Sequence, residues 1–253
     1  MAQTKPSSSV HQFPPGPPGR SGAAVGVVIP AHNEEQLLGA CLNSLRPFQE
    51  AGDPLLVVDA ASTDRTADTA RQAGVRVVTA VTASRGLAVE RGVRELSALD
   101  VPLEVILIVH ADMVLSPATR PALLQALRDH PGSPGGALGH RIEAEGAGFR
   151  LIEWGNRCRA RFLQMPYGDQ AQFFRPGVLS RLGGFPRQER LEGLELALRL
   201  RKAGPLLYLN LPVRITARHW ERGIFSTTLR NWWTAWRYLV RRRVSVRVEI
   251  RSP

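Results

Sequence analysis

The chain has little lysine, little cysteine and no long apolar run, and each shortage excludes something. Among its 253 residues the only lysines are Lys5 and Lys202, yet the net charge is +11. The cations are therefore almost all arginine, which suits phosphate and anionic lipid surfaces. A base-composition bias toward arginine codons would leave the same mark. The arginines are spread along the chain and no aromatic-rich RNA motif interrupts them, so nucleic acid is disfavoured as a partner. Cys41 and Cys158 are the only cysteines, too few for a disulfide framework. Cys41 falls on an apolar helix face and reads as a buried thiol in a reducing cytoplasm. No stretch of about 20 uninterrupted apolar residues exists, which excludes a spanning helix. Met1–Gly22 contains Ser7-Ser8-Ser9 and Pro14-Pro15-Gly16-Pro17-Pro18-Gly19 but no apolar core segment. It reads as a disordered tail rather than a signal peptide.

What remains is a chain of ordinary hydrophobic content, 43%, long enough for one sizeable core. From Ala23 onward strand patterns alternate with helix patterns. Strands are expected at Val25–Ile29, Leu55–Val58, Val75–Val78 and Glu104–Val109. Helices are expected at Glu35–Leu45, Asp64–Ala73, Ser84–Leu99 and Ser116–Asp129. This alternation predicts an α/β fold with a mostly parallel sheet flanked by helices. The rhythm loosens after residue 130. Pro131–Gly139 reads as a Gly/Pro-rich loop and Arg141–Glu145 as an edge strand. Helices follow at Phe149–Leu163 and Gly193–Ala203. Short strands are expected at Gln170–Phe174, Leu206–Leu209 and Val213–Thr216, and a long helix at Ile224–Arg243. The boundaries expected are a tail over 1–23, a domain over 24–222 and a basic Trp/Arg-rich helix and tail over 223–253.

The most informative segment is Val25–Asp64. One apolar run ends in Pro30-Ala31-His32-Asn33-Glu34-Glu35, and the next ends on Asp59 with Ser62-Thr63-Asp64 just beyond. Ligands of open α/β sheets bind at the carboxyl ends of strands, so two such ends carrying Asn, Glu and Asp suggest a nucleotide pocket. A third strand ends in His110-Ala111-Asp112. Later come Tyr167-Gly168-Asp169-Gln170, Leu182-Gly183-Gly184-Phe185-Pro186, Leu191-Glu192-Gly193-Leu194-Glu195-Leu196, Ala217–Glu221 and Thr228–Trp232. In order and spacing these blocks resemble family 2 glycosyltransferases over roughly Val25–Arg243, and specifically the bacterial branch called selenodomain-associated transferase 2.

The resemblance implies a GT-A (Rossmann-like) fold with a C-terminal amphipathic helix. It implies a nucleoside-diphosphate sugar donor, a UDP-sugar above others, and an inverting displacement assisted by Mn²⁺ or Mg²⁺. Carried onto this chain, Pro30, His32, Asn33 and Glu34 line the nucleoside, Asp59 faces the base or ribose, and Arg85 approaches the diphosphate. Asp112 holds the metal, with His110 as a second ligand or hydrogen-bond partner. Asp169 and Gln170 contact donor sugar or acceptor. Glu192 is the expected catalytic base, with Asp169 the next candidate. Arg218, His219 and Trp220 close over the donor. The acceptor expected is lipid-linked or a small molecule.

The chain also departs from the family pattern. The usual Asp-Gly-Gly-Ser-Thr-Asp is Asp59-Ala60-Ala61-Ser62-Thr63-Asp64, and the usual Glu-Asp pair is Glu192-Gly193. Glycine cannot accept a proton, so either Glu192 or Glu195 takes that task, or the chain binds nucleotide sugar without turning it over. Glu195 reads otherwise as a helix-surface carboxylate. On the same reasoning an aspartate returned to position 193 restores the missing acid. Finally, Ile224–Arg243 interleaves tryptophan with arginine, which suits the surface of an anionic membrane and a peripheral location on its cytoplasmic face. The alternative is a helix packed on the domain.

Overall fold

The structure, a computed structural model, describes residues 24–249 apart from 187, 189, 221 and 222. The expected tail over 1–23 and the last four residues lie outside the described residues.

The central strand is β1 (Ala24–Ala31), buried along its whole length. Parallel neighbours lie on both sides of it, β2 (Leu55–Ala60) and β4 (Leu103–Ile108), and β3 (Arg76–Ala80) adds a fourth parallel strand outside β2. Helices α1 (Glu35–Ser44), α2 (Arg46–Glu50), α3 (Thr66–Gln72) and α4 (Arg85–Ser97) occupy the connections. Alternate β1 residues feed two separate cores, as strand geometry requires. Val25, Val27 and Ile29 pack with Leu38, Cys41 and Leu42 of α1. Val28 joins Leu56 and Val58 against Ala88, Val89 and Leu96 of α4. Covering both faces is why these strands read as continuous apolar runs.

The second half adds β5 (Met113–Val114), α5 (Thr119–Asp129), β6 (Gly135–Glu143), α6 (Ala147–Phe162), β7 (Gln172–Phe174), α7 (Pro176–Arg181), α8 (Glu192–Leu200), β8 (Leu207–Thr216) and α9 (Ile224–Glu249). The eight strands form one sheet in the order β3-β2-β1-β4-β7-β6-β8-β5. β7 is antiparallel to both β4 and β6, whereas β8 runs parallel to β6. Phe173 and Phe174 of β7 are fully buried, a placement that contributes about 1.5–3 kcal/mol for each ring relative to exposure. The start of β1 is tied down by Asp53. Its carboxylate accepts the Val25 amide at 3.1 Å and pairs with Arg120 of α5 at 2.6 Å.

Three expectations for the second half need correction. Most of the expected loop over Pro131–Gly139 is strand β6, and so is the first part of the edge strand expected at Arg141–Glu145, which is no edge because β6 lies inside the sheet between β7 and β8. Its glycines serve close backbone approach rather than turning: a β-carbon on Gly136 would lie 2.1 Å from the Leu207 carbonyl oxygen. The two short strands expected at Leu206–Leu209 and Val213–Thr216 are one strand, β8, whose register against β6 shifts between Leu138 and Gly139.

Candidate active site

The loops leaving β1 and β2 are laced together at the carboxyl edge of the sheet. Asn33 donates its amide to Ser62 Oγ at 2.9 Å, and its side-chain oxygen accepts the Thr63 amide at 2.8 Å. The Glu34 amide donates to Thr66 Oγ1 at 2.8 Å, and the Glu35 amide to Asp64 Oδ2 at 3.1 Å. His32 Nδ1 lies 2.7 Å from the Ala60 carbonyl oxygen. Pro30 is buried in β1 opposite Val58, and Asp59 is buried at the end of β2, where Oδ1 accepts the Ser62 amide at 3.3 Å. Asn33 and Ala61 sit in the left-handed region, at φ +54° and +57°. Asn tolerates that region, but Ala61 carries a β-carbon there at a cost of about 1–2 kcal/mol.

Next to this edge opens a cleft of about 820 Å³, lined among others by Arg85, His110, Asp112, Asp169, Glu192 and Trp220. The His110–Asp112 turn is fixed from below. The Cys41 thiol donates to the His110 carbonyl oxygen at 3.5 Å, and the His110 amide donates to Met113 Sδ at 3.3 Å. Burial pushes the Cys41 thiol far above its usual range, with the Asp112 charge adding to the effect. Burial also drives His110 down to about 3, helped by the Arg85 charge, so its imidazole is neutral at physiological pH. The Asp112 carboxyl is raised by burial and then by the Glu34 charge; Arg218 and Arg85 oppose the rise. Glu34 itself pairs with Arg218 at 2.6 Å through Oε1, while its Oε2 is buried with no hydrogen-bond partner.

The far wall is the short turn Gly168–Gln170. Its support is Arg159 of α6, whose guanidinium lies 3.4 Å from the centre of the Tyr167 ring. Arg159 also donates to Asn156 Oδ1 at 3.1 Å, to Gln170 Oε1 at 3.4 Å and to the Met165 carbonyl. Asp169 lines the cleft and its Oδ1 is buried without a hydrogen-bond partner. Gln170, expected to face a ligand, is fully enclosed and braces the turn instead, accepting the Tyr167 amide at 3.2 Å. Sequence reasoning missed Arg159. On an arginine-rich amphipathic helix nothing distinguishes it from Arg157 and Arg161 beside it.

Glu192 opens α8 after Leu191, which has φ +60°. Its side chain is nearly buried and lies 3.6 Å from Arg85 Nη1. Gly193 is pressed against the turn: a β-carbon there would meet the Gly168 nitrogen at 2.6 Å and Gln172 Oε1 at 2.8 Å. A β-carbon on Gly168 would in turn lie 3.1 Å from His110 Cε1. Glu195 is no surface carboxylate. It is buried, accepts the Tyr238 hydroxyl at 2.6 Å, and pairs with Arg199 at 2.9 Å and Arg242 at 3.0 Å. Burial alone would raise its carboxyl; the Tyr238 and Arg199 hydrogen bonds and the Arg242 charge hold it below the usual range. These bonds clamp α9 onto α8, and α9 supplies Thr228, Arg230, Asn231 and Trp232 to the cleft wall. Trp220 is buried and meets Phe149 edge-on, with centroids 6.3 Å apart. The His219 side chain lies outside the described residues.

The site fits a hard divalent cation of the kind that substrate phosphates complete. Among the described residues no three His, Cys, Asp or Glu side chains converge as a cage. Mg²⁺ and its analogues are commonly held by one or two carboxylates plus phosphate oxygens. Asp112, with the unpartnered Glu34 oxygen close enough to perturb it, offers that donor set.

Comparison with known proteins adds the following. Residues 26–182 match the model of "Glycosyl transferase family 2". No curated protein matches the sequence significantly. Among solved structures, TarS from S. aureus in complex with UDP-GlcNAc is 17% identical, covering 77% of this chain and 59% of that one with a TM-score of 0.59. Glucosyl-3-phosphoglycerate synthase from Mycobacterium tuberculosis, in complex with Mn²⁺ and UDP-glucose, is 22% identical, covering 76% of this chain and 70% of that one with a TM-score of 0.57. At such identities the likeness is one of fold. The chain spans 61% of the length of another TarS structure that it matches.

Proposed function

The chain belongs to glycosyltransferase family 2, and from that premise we propose that it moves a sugar from a nucleoside-diphosphate sugar, a UDP-sugar above others, to an acceptor hydroxyl in the cleft. The observation that carries this reading is the convergence of Asp112, Asp169 and Glu192 in one cleft beside the laced loops at the carboxyl edge of the sheet. The solved UDP-sugar complexes of similar fold support it. The laced loops Asn33–Glu35 and Ser62–Thr66 hold the nucleoside, with Asp59 beneath them. Asp112, aided by Glu34, would hold a divalent cation, Mn²⁺ or Mg²⁺, whose charge would offset that on the departing diphosphate.

Glu192 serves as general base. Its carboxylate takes the proton of the acceptor hydroxyl while that oxygen bonds to the anomeric carbon. The bond from that carbon to the diphosphate oxygen breaks in the same displacement, and the electron pair leaves with the nucleoside diphosphate. Arg85, half-exposed and 3.6 Å from the Glu192 carboxylate, reaches toward the diphosphate. Neutral His110 packs behind Gly168. The acceptor is a lipid-linked or small molecule on the α9 side of the cleft.

A second reading has its own support. Gly168 fills the space beside Gly193, so no acid fits at that position, and a nucleotide-sugar binder that does not turn over is the alternative. A screen of nucleotide sugars for Mn²⁺-dependent release of nucleoside diphosphate separates the two. Release that depends on Asp112 and Glu192 supports the transferase. Metal-linked UDP binding without release from any donor and acceptor combination supports the binder.

A further inference from the structure

Among the described residues, the outward faces of α6 and α9 hold most of the exposed large apolar side chains. On α9, Leu229, Trp232, Trp233, Trp236 and Val240 are 42–71% exposed. Their spacing, i, i+3, i+4, i+7, i+11, places them on one stripe of the helix. Trp233 and Trp236 stack on each other, ring centroids 5.0 Å apart, instead of on the domain. The opposite face of α9 is the packed one, with Thr227 and Ala235 buried and Tyr238 and Arg242 bonded to Glu195. On α6, Leu151, Trp154 and Phe162 are 61–73% exposed, again at helical spacing, and Leu163 follows at 58%. The two helices touch each other near Gly148 and Ile224, and both wall the same cleft.

The charge on this face has one sign. From Ile224 to Val248 there is no acidic residue, and α6 contains only Glu153, which is buried beneath Arg150. Arg157 and Arg161 are exposed on α6, and Arg230 and Arg237 on α9. An apolar patch of this extent on a soluble domain marks an interaction site. A second copy would bring arginine against arginine, and an acidic protein groove would leave the protruding tryptophans no interface at which to end. Exposed Trp beside Arg, with no acid, suits the headgroup level of an anionic bilayer.

We propose that the α6–α9 face docks on anionic membranes, Trp154, Trp232, Trp233 and Trp236 entering the interface and Arg157, Arg161, Arg230 and Arg237 meeting lipid phosphates. The proposal does not rest on the transferase reading: Arg230 and Trp232 also line the cleft, but no docking side chain has a part in the proposed reaction.

The test is flotation of the full chain with vesicles of phosphatidylcholine alone and of phosphatidylcholine mixed with phosphatidylglycerol, at low and high salt. The expected result is binding to the mixed vesicles only, weakened by salt, with a blue shift of tryptophan fluorescence. Trp233→Ser with Trp236→Ser, and separately Trp154→Ser with Phe162→Ser, should each reduce binding at least about tenfold. Each of Arg230→Gln and Arg237→Gln should cost about fivefold. A circular dichroism spectrum equal to the parent's shows that the variants fold. The proposal is overturned by absence of binding to either vesicle, by binding that ignores phosphatidylglycerol, or by binding that survives both double variants. It is equally overturned by a self-association that Trp233→Ser abolishes, since the stripe would then be covered by a second copy.

Discussion

Gly193 and Gly168 meet backbone to backbone, so closely that a β-carbon on Gly193 would stand 2.6 Å from the Gly168 nitrogen. The residue that replaces the family's second acid is therefore one that the local packing demands. Gly193→Asp should not restore an acid to the cleft. It should lower stability by about 1–3 kcal/mol through overpacking, read as a lower urea midpoint at unchanged slope. A variant as stable as the parent with faster turnover would show that the turn yields to the new side chain.

Glu192→Gln should reduce turnover about 10²–10⁴-fold, the usual cost of losing a general base, with UDP affinity nearly unchanged. If the parent turns over and Glu192→Gln is silent, Asp169 is the base, and Asp169→Asn should then show the loss.

Asp112→Ala should abolish the Mn²⁺-dependent part of UDP stabilisation in a thermal melt. The raised Asp112 carboxyl sets the sign of the pH dependence. A cation needs the ionised form, so metal-linked UDP affinity should fall as pH drops from 7 into the upper carboxylate range. That loss should begin at a higher pH than an ordinary aspartate, near 3.9, would set. A loss that sets in no higher than an ordinary aspartate would set it would refute the assignment.

Tyr238→Phe removes a hydrogen bond to the Glu195 carboxylate, a contact of a kind that contributes about 1.5–3 kcal/mol when one partner is charged. Because Tyr238 is only partly buried, the lower end is expected. The loss should appear chiefly as faster hydrogen exchange in α9 and around its seat on α8, with the amides of β1 and β2 unchanged.

Ala61→Gly should raise stability by up to about 1 kcal/mol, since glycine adopts φ +57° without the β-carbon penalty but is more flexible when unfolded. A lower melting temperature would mean that the Ala61 methyl makes a contact worth more than its strain.

The first four strands and the residues at their ends were legible in the sequence, because strands covered on both faces leave long apolar runs, and polar side chains break those runs where the sheet stops. Past residue 130 that signal fails. β6 looks like a loop because Gly135 and Gly136 are there for backbone contact with β7 and β8, and composition alone cannot separate that use from turning. Glu195 and Arg159 were hidden for a related reason. A charged residue on an amphipathic helix reads as solvated unless its partners are known, and these partners lie from 3 to 47 residues away. The acid at 192 was legible; the reason for the glycine after it exists only in three dimensions.

The order of strands in the sheet also governs how the chain emerges during synthesis. β4 gains its second neighbour only when β7 arrives, and Ile106 and Leu107 pair with Phe174 and Phe173. Until that stretch has left the ribosome, β4 offers an unpaired edge, the kind of template that recruits other chains. Any product that ends before Phe174 keeps that edge for its lifetime. Premature termination should therefore yield aggregates and proteolytic substrates rather than a free, folded first half.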